Sequence, residues 1–345
     1  MTPRGTDWSL ALALAVLAAT GALTLFAGSP GSAWVFSVHA AAGFSLLLLL
    51  LWWKFRRVLR RLVDPSRWDR RTGAGAAAAL LVAVALGSGI AWASGANVAL
   101  GGFRLLAWHD FLGAVLVLAV AVHMLWRAKR PRRRDVAGRR ELLGHAAVVA
   151  GGAAAWWLLP GGKRRFTGSY EAASFQGNAF PATSWVADGP REIDPGSFRL
   201  RVHGAVREEL LLPVAQLAGG DALVATLDCT GGFYSTQRWS GIRLDRLIER
   251  AGALPRARHV RLVSRTGYRW SFDLAAARGL LLATHVGGEP LSHDHGAPAR
   301  LVAPGRRGYQ WVKWIERIEL HDEPDYGAPA STVWSSFTAE GRGRA

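Results

Sequence analysis

The chain has 345 residues, a net charge of +17 and a composition that is half hydrophobic, a size that suits about two domains. Its single cysteine, Cys229, excludes an intramolecular disulfide framework. The charge is segregated: residues 1–162 hold 18 Lys and Arg against 6 Asp and Glu, and 16 of those 18 lie in two blocks, residues 54–71 and 127–140. No nucleic-acid recognition motif accompanies the blocks, so binding to nucleic acid is not expected. Their place between apolar segments obeys the positive-inside rule instead.

Five apolar runs, residues 8–28, 33–53, 73–93, 105–126 and a shorter 142–159, have about the length of helices that span a lipid bilayer. Trp52 and Trp53 end the second run, and Trp156 and Trp157 end the fifth, as interfacial aromatic anchors do. The loops after the second and fourth runs carry the basic blocks, whereas those after the first and third carry only Arg104. This asymmetry predicts a multi-pass protein of the cytoplasmic membrane with its N-terminus inside and everything after the fifth helix on the periplasmic face. Gly138-Arg-Arg-Glu-Leu-Leu also resembles a twin-arginine export signal placed internally; the alternative is that Arg139 and Arg140 continue the inner basic block.

Four histidines, His39, His109, His123 and His145, fall within these runs. Ionisable residues at membrane depth are costly and point to function, and histidine is a usual axial ligand of haem iron. His109 and His123 share one predicted helix, and their 14-residue spacing brings them to nearly the same face, about 21 Å apart along the axis. The predicted orientation sets His39 level with His109 near the outer surface, and His145 level with His123 near the inner one. The pattern resembles the cytochrome b561-like, four-helix haem-b subunits that serve formate dehydrogenases and hydrogenases, and implies one or two haems b. It departs from them in having no histidine on the first helix. Asp110, beside His109, is a further candidate for binding a ring N–H or relaying protons to a quinone.

Residues 161–177 read as a linker, and residues 178–345 as a mixed α+β domain with a core of its own. Strands are expected at residues 198–204, 259–263, 268–272, 300–303 and 315–320, with a short amphipathic helix over residues 244–251. A further strand, residues 222–227, ends at Asp228-Cys229-Thr230-Gly231-Gly232, which presents a thiol on a loop at a strand end. Thiolate is a soft ligand suited to a transition metal.

Three motifs, the first beginning at the cysteine, carry a resemblance. Cys229-x9-Trp239-x-Gly241, then Asp294-His-Gly-Ala-Pro-Ala-Arg300, then Gly308-Tyr-Gln-Trp-Val-Lys-Trp314, resemble in this order the molybdenum-cofactor domain of the sulfite oxidase family. The resemblance implies a mononuclear molybdenum held by one pyranopterin dithiolene, with Cys229 as the protein thiolate on the metal. It also implies pterin contacts at Asn178, Ser264, His295, Arg300, Trp311, Val312 and Lys313. The loop read at residues 233–239 is expected to face substrate with Tyr234, Gln237, Arg238 and Trp239, helped by Arg306 and Arg307. That loop lacks the Cys-Ala-Gly-Asn-Arg-Arg run typical of sulfite oxidases, and the chain is similar to the methionine-sulfoxide reductase branch.

The expected protein is therefore an all-α transmembrane bundle joined to a sulfite-oxidase-type molybdopterin domain. It would pass electrons between quinone and molybdenum through haem and transfer an oxygen atom to or from a small molecule, reducing a sulfoxide-like substrate. A sulfite dehydrogenase running the other way is the first alternative. A non-catalytic haem carrier or redox sensor is the second.

Overall fold

The computed structural model describes residues 2–68, 72–101, 103–127, 132, 135, 138–159, 164–184 and 186–341. The chain divides into two compact units, Met1–Gly168 and Ser169–Ala345.

The first unit is helical. Helix α1 (Pro3–Thr24) starts at a cap in which the Thr2 hydroxyl accepts from Gly5 N at 3.0 Å, with proline in the first turn. Helix α2 (Ala33–Leu49) does not end at Trp53. It continues through a π-helical turn, Leu50–Lys54, into α3 (Phe55–Val63), where basic and apolar residues recur at helical spacing. Helices α4 (Thr72–Ala93) and α5 (Leu105–Arg127) pack together and are joined through a hairpin of β1 (Ala99–Leu100) and β2 (Phe103–Arg104). Helix α6 (Arg139–Leu158) packs chiefly along α2.

Among the described residues, four helical stretches are long and apolar enough to cross a membrane: Pro3–Thr24, Pro30–Lys54, Gly75–Ala93 and Leu105–Met124. Leu12, Leu80 and Leu118 lie exposed on them, where a helix facing water would show polar side chains. The fifth expected span, α6, falls outside this set. It opens on Arg139, Arg140 and Glu141 and is rich in alanine and glycine, so its apolar content is too low.

The second unit holds two sheets about one continuous apolar core. In the first sheet, β6 (Asp221–Asp228) and β7 (Phe233–Arg243) form a long antiparallel hairpin, from Asp221 opposite Gly241 to Asp228 opposite Tyr234. Strand β10 (Leu281–Val286) pairs with the other edge of β7, and β11 (Glu289–Pro290) and β12 (Arg300–Val302) extend it. Strand β3 (Tyr170–Glu171) adds in parallel at the start of β7. The stretch read as a linker thus partly enters the sheet. Its Gly/Ser composition hides backbone bonds such as Tyr170 N to Gly232 O at 3.0 Å and Ala172 N to Tyr234 O at 2.9 Å.

The second sheet runs β5 (Leu210–Pro213), β4 (Arg199–Gly204), β13 (Ile315–His321), β8 (His259–Ser264) and β9 (Arg269–Asp273), with β4 and β13 parallel. Helix α7 (Leu244–Ala251) lays Leu244, Leu247 and Ile248 into the core and ends at Gly252 in the left-handed conformation, as a helix C-terminus favours. Helix α8 (Leu274–Arg278) and helix α9 (Ala328–Trp334) are short peripheral turns.

Gly241 explains the spacing Trp-x-Gly. A Cβ there would lie 2.1 Å from the Leu282 carbonyl oxygen on the neighbouring strand. Gly241→Ala is expected to part β7 from β10 and to lower stability by about 1–3 kcal/mol or more. Thermal unfolding monitored by tryptophan fluorescence checks this; an unchanged midpoint would show that the two strands are free to shift.

Candidate active site

Cys229 stands where β6 ends. Its backbone N–H donates to Phe233 O at 2.8 Å and its carbonyl accepts from Gly232 N at 3.0 Å, which closes the tight turn into β7. The sulfur receives the Gly231 N–H at 3.3 Å and lies 3.4 Å from the Thr183 hydroxyl. Gly308 backs the cysteine so closely that a Cβ would lie 2.9 Å from Cys229 Cα. Beneath the turn, Asp228 and Arg307 form an ion pair at 2.5 Å, with side chains 1% and 4% exposed, and Ser169 Oγ donates to the same carboxylate oxygen at 2.9 Å.

Two cations face the thiol. Arg300 is buried, its guanidinium carbon 5.1 Å from the Trp239 ring centroid and 5.9 Å from that of Trp311. Nη1 donates to His295 O at 3.0 Å, while Nε is buried with no partner among the described residues. Lys313 Nζ donates to Thr183 O at 3.1 Å and Asp294 O at 3.0 Å. Among the described residues, no carboxylate lies within ion-pair distance of either. Gly296, at φ +104°, allows this crowding: a Cβ would lie 2.9 Å from that of Lys313 and 3.1 Å from that of Arg300. Trp314, next in the chain after Lys313, has φ +52°, a strained conformation for a tryptophan.

Burial lowers the Arg300 pKa to about 10, opposed by Cys229, and burial with the neighbouring Arg300 charge lowers that of Lys313 to about 7, opposed by Asp188, Asp294 and Cys229. Burial likewise pushes His295 down to about 4, so its imidazole is neutral. Its Nε2–H donates to Phe180 O at 2.8 Å and Nδ1 accepts from Ser292 Oγ at 2.7 Å. Both ring nitrogens are used within the protein, so His295 positions the turn that carries Arg300.

Other expected cofactor contacts also act from behind. Asn178 clamps the strand end before His295, with Nδ2 donating to Pro290 O at 2.9 Å and Oδ1 accepting from Ser292 N at 3.0 Å. Ser264 is buried, 3.3 Å from the Thr266 hydroxyl. Trp311 and Val312 are core residues, and Trp311 Nε1 donates to Arg306 O at 3.2 Å.

The expected substrate loop is corrected: residues 233–239 form part of β7. Strand alternation sends Phe233, Ser235, Gln237 and Trp239 inward and turns Tyr234 and Arg238 to the other face. Trp239 is wholly buried, and its Nε1 donates to Ala225 O at 3.2 Å. It holds Arg300 in place rather than meeting substrate. Arg238 and Arg306 are exposed, and Arg307 is neutralised by Asp228. The reading from sequence missed Asp228 and Thr183. The signal available was a carboxylate adjoining the only cysteine.

In the helical unit the rings of His39 and His109 stand 6.1 Å apart, centroid to centroid, with planes at 87°. His39 Nδ1 is 2.9 Å from Thr20 Oγ1, and His109 Nδ1 is 2.9 Å from Ala85 O. His145 takes another partner, with Nε2 2.7 Å from Ser9 Oγ. His123 is on α5, whereas α6, which carries His145, packs chiefly on α2.

Residues 187–328 match the family model described as the oxidoreductase molybdopterin binding domain. The mitochondrial sulfite oxidase of Macaca fascicularis is 32% identical over 168 residues, covering 39% of this chain and 31% of that protein. The catalytic subunit MsrP of the protein-methionine-sulfoxide reductase of Gluconobacter oxydans (strain 621H) is 29% identical over 187 residues, covering 48% of this chain and 56% of that protein. Among solved structures, the sulfane dehydrogenase SoxCD of Paracoccus pantotrophus matches 39% of this chain and 41% of its own at 26% identity, with a TM-score of 0.38. The chain thus spans about a third of the sulfite oxidase and about half of MsrP.

The residues fit the group this family binds, since a presented thiol with Arg300 and Lys313 close by suits a soft metal carried by an anionic ligand. Lys313 supplies a test. In the cofactor-free unit its charged form is disfavoured, so stability rises as pH climbs from about 7 towards 10.5, where the unfolded lysine also loses its proton. Lys313→Met is expected to raise the melting temperature of cofactor-free protein at pH 6, to do so much less at pH 10, and to weaken cofactor retention. Equal effects at both pH values would overturn this assignment. Residues 187–328 are an enzyme domain, a molybdopterin-binding oxidoreductase domain of the sulfite oxidase and MsrP type.

Proposed function

We propose that the chain is a membrane-bound molybdenum-cofactor oxidoreductase that takes electrons from quinol through one haem b and removes oxygen from a sulfoxide-like molecule on the periplasmic side. The observation that carries the catalytic half is Cys229 beside Thr183, whose carbonyl accepts from Lys313 Nζ, with Lys313 and the buried Arg300 brought together at Gly296. Cys229 would hold the metal. Arg300 and Lys313 would neutralise the dithiolene and phosphate of the pterin. The Gly231 N–H and the Thr183 hydroxyl stand beside the sulfur and fix its position. When bound, the molybdenum cofactor supplies two-electron oxygen-atom transfer. The balance is sulfoxide plus two electrons and two protons giving thioether and water.

Electrostatics favour an uncharged substrate. A dianion such as sulfite needs free cations over the metal, yet Arg307 is neutralised by Asp228 and Arg238 stands exposed on the outer side of β7. Sulfite oxidation with electrons flowing to quinone is the reading to which sulfite turnover would point.

Support for haem lies in the helical unit. Each of His39 and His109 has Nδ1 held by a neighbouring helix, which fixes the ring and leaves Nε2 for a metal, as ligating histidines commonly do. Their 6.1 Å separation suits two metal–nitrogen bonds of about 2 Å each plus the half-rings. Gly89 makes room, since a Cβ there would lie 2.8 Å from His109 Cε1. His145, bonded to Ser9, supports no second site, so the reading is one haem.

Metal and haem analysis of the purified chain tests both halves. About one molybdenum and one haem b are expected. His109→Ala and Gly89→Leu should lose haem and keep molybdenum, His145→Ala should keep both, and Cys229→Ala should keep haem and lose turnover. Haem without molybdenum, in a host that makes the cofactor, would favour the carrier or sensor. Molybdenum without haem would reduce the helices to an anchor.

A further inference from the structure

We propose that residues 326–337 of the molybdopterin unit form an interfacial anchor that lies in the headgroup region of a lipid bilayer. The inference rests on the reading of the N-terminal helices as membrane spans.

The segment comprises α9, entered from Tyr326, and the 3-10 turn Ser335–Phe337. Its amphipathicity is inverted. The side facing the protein is small or hydroxyl-bearing: Ala328, Ser331, Thr332, Ser335 and Ser336 are all buried. Ser331 Oγ donates to Arg269 O at 3.1 Å, Ser335 Oγ to Asp188 Oδ2 at 2.9 Å and Ser336 Oγ to Asp188 Oδ1 at 3.0 Å. The side facing outward is apolar and aromatic: Tyr326 is 87% exposed, Trp334 71%, Phe337 54% and Val333 46%. Val333 and Trp334 end α9, Tyr326 stands in the turn before it and Phe337 in the 3-10 turn after it, and all four are exposed while the hydroxyl-bearing residues between them are buried. A short helix in water places such residues against the core. Here the hydroxyls fasten the segment and the aromatics are held out, the kind of contiguous apolar patch that marks an interaction surface.

Two observations select lipid as the occupant. Tryptophan and tyrosine concentrate at membrane–water interfaces, where an apolar ring meets a wet edge. The bilayer is also the surface the chain itself keeps within reach. Eleven positions separate Leu158, at the end of α6, from Ser169, and fully extended these span at most about 40 Å. Such a tether holds the lipid surface at high effective concentration. Exposed Asp322, Glu323 and Glu340 flank the segment, so apolar insertion rather than attraction to anionic lipid drives the contact, and zwitterionic bilayers suffice.

The test uses the full chain in phosphatidylcholine nanodiscs, with Cys229→Ser freeing the cysteine chemistry for one fluorescent label at Trp334→Cys. Controls carry the label at Leu118→Cys on α5 and at Leu211→Cys on β5, both exposed positions. The Trp334 label is expected to lose emission to lipids brominated near the headgroup and to be protected from aqueous iodide, with the Leu211 label behaving in the opposite way. Iodide quenching at Trp334 while the Leu118 label reports lipid would overturn the anchor and leave the membrane reading intact. Protection from both quenchers would overturn it in favour of a second protein surface. A Leu118 label that reports only water would sink both readings.

Discussion

A carboxylate and a guanidinium 79 residues apart in the chain meet almost out of water beneath the only thiol. Burying either charge alone costs several kcal/mol, and the pair persists because each satisfies the other. Asp228 thereby ties the end of β6 to the turn that begins at Gly308, and that turn presses directly on Cys229 Cα. The clamp fixes the position of the sulfur. It also shapes the electrostatic character of the site: with Asp228 and Arg307 cancelled, Arg300 and Lys313 remain beside the thiol, with Asp188 and Asp294 acting on Lys313.

Those two cations are held in an unfavourable state. Burial pulls the pKa of both down; aromatic faces hold Arg300, and backbone carbonyls hold Lys313, with Asp188 and Asp294 offsetting only part of its cost. Trp314 beside Lys313 adds a left-handed backbone. Cost of this kind collects at ligand sites, where a preformed environment binds an anion without rearranging. The energy that the cofactor-free unit lacks is recovered when an anion enters.

Much of this was legible in the sequence for one physical reason: the signals were local. Uncharged runs of bilayer length foretold the helices, and period-two alternation foretold β4, β8 and β13. The apolar run at residues 222–227 foretold β6 and the loop that presents the thiol, but not that the chain returns at once as β7. The illegible parts depended on partners far away in the chain. Phe233–Trp239 carries no helical or loop signature that separates it from a strand whose outer face is polar, so its inward residues were misassigned to substrate. Trp239 and Trp311 were read as contacts, whereas the structure uses them as the seat of Arg300. His295 was expected to contact the pterin, whereas Phe180 O and Ser292 Oγ occupy both of its nitrogens. The stop expected at Trp53 failed because aromatic residues mark an interface without ending a helix.

Both units turn unusual surfaces outward, and the same physics governs each. In water, an apolar side chain at high exposure loses the burial that drives folding, so a chain keeps rows of them outward only where another solvent or surface takes over. The four apolar helices do this along their length. The segment ending at Phe337 does it on one face of a few turns, and its seryl hydroxyls are spent on fastening that face outward through Asp188. Periodicity alone would have buried Trp334 and exposed Ser335. The structure reverses them because the half-buried Asp188 carboxylate takes its hydroxyl donors from Ser335 and Ser336.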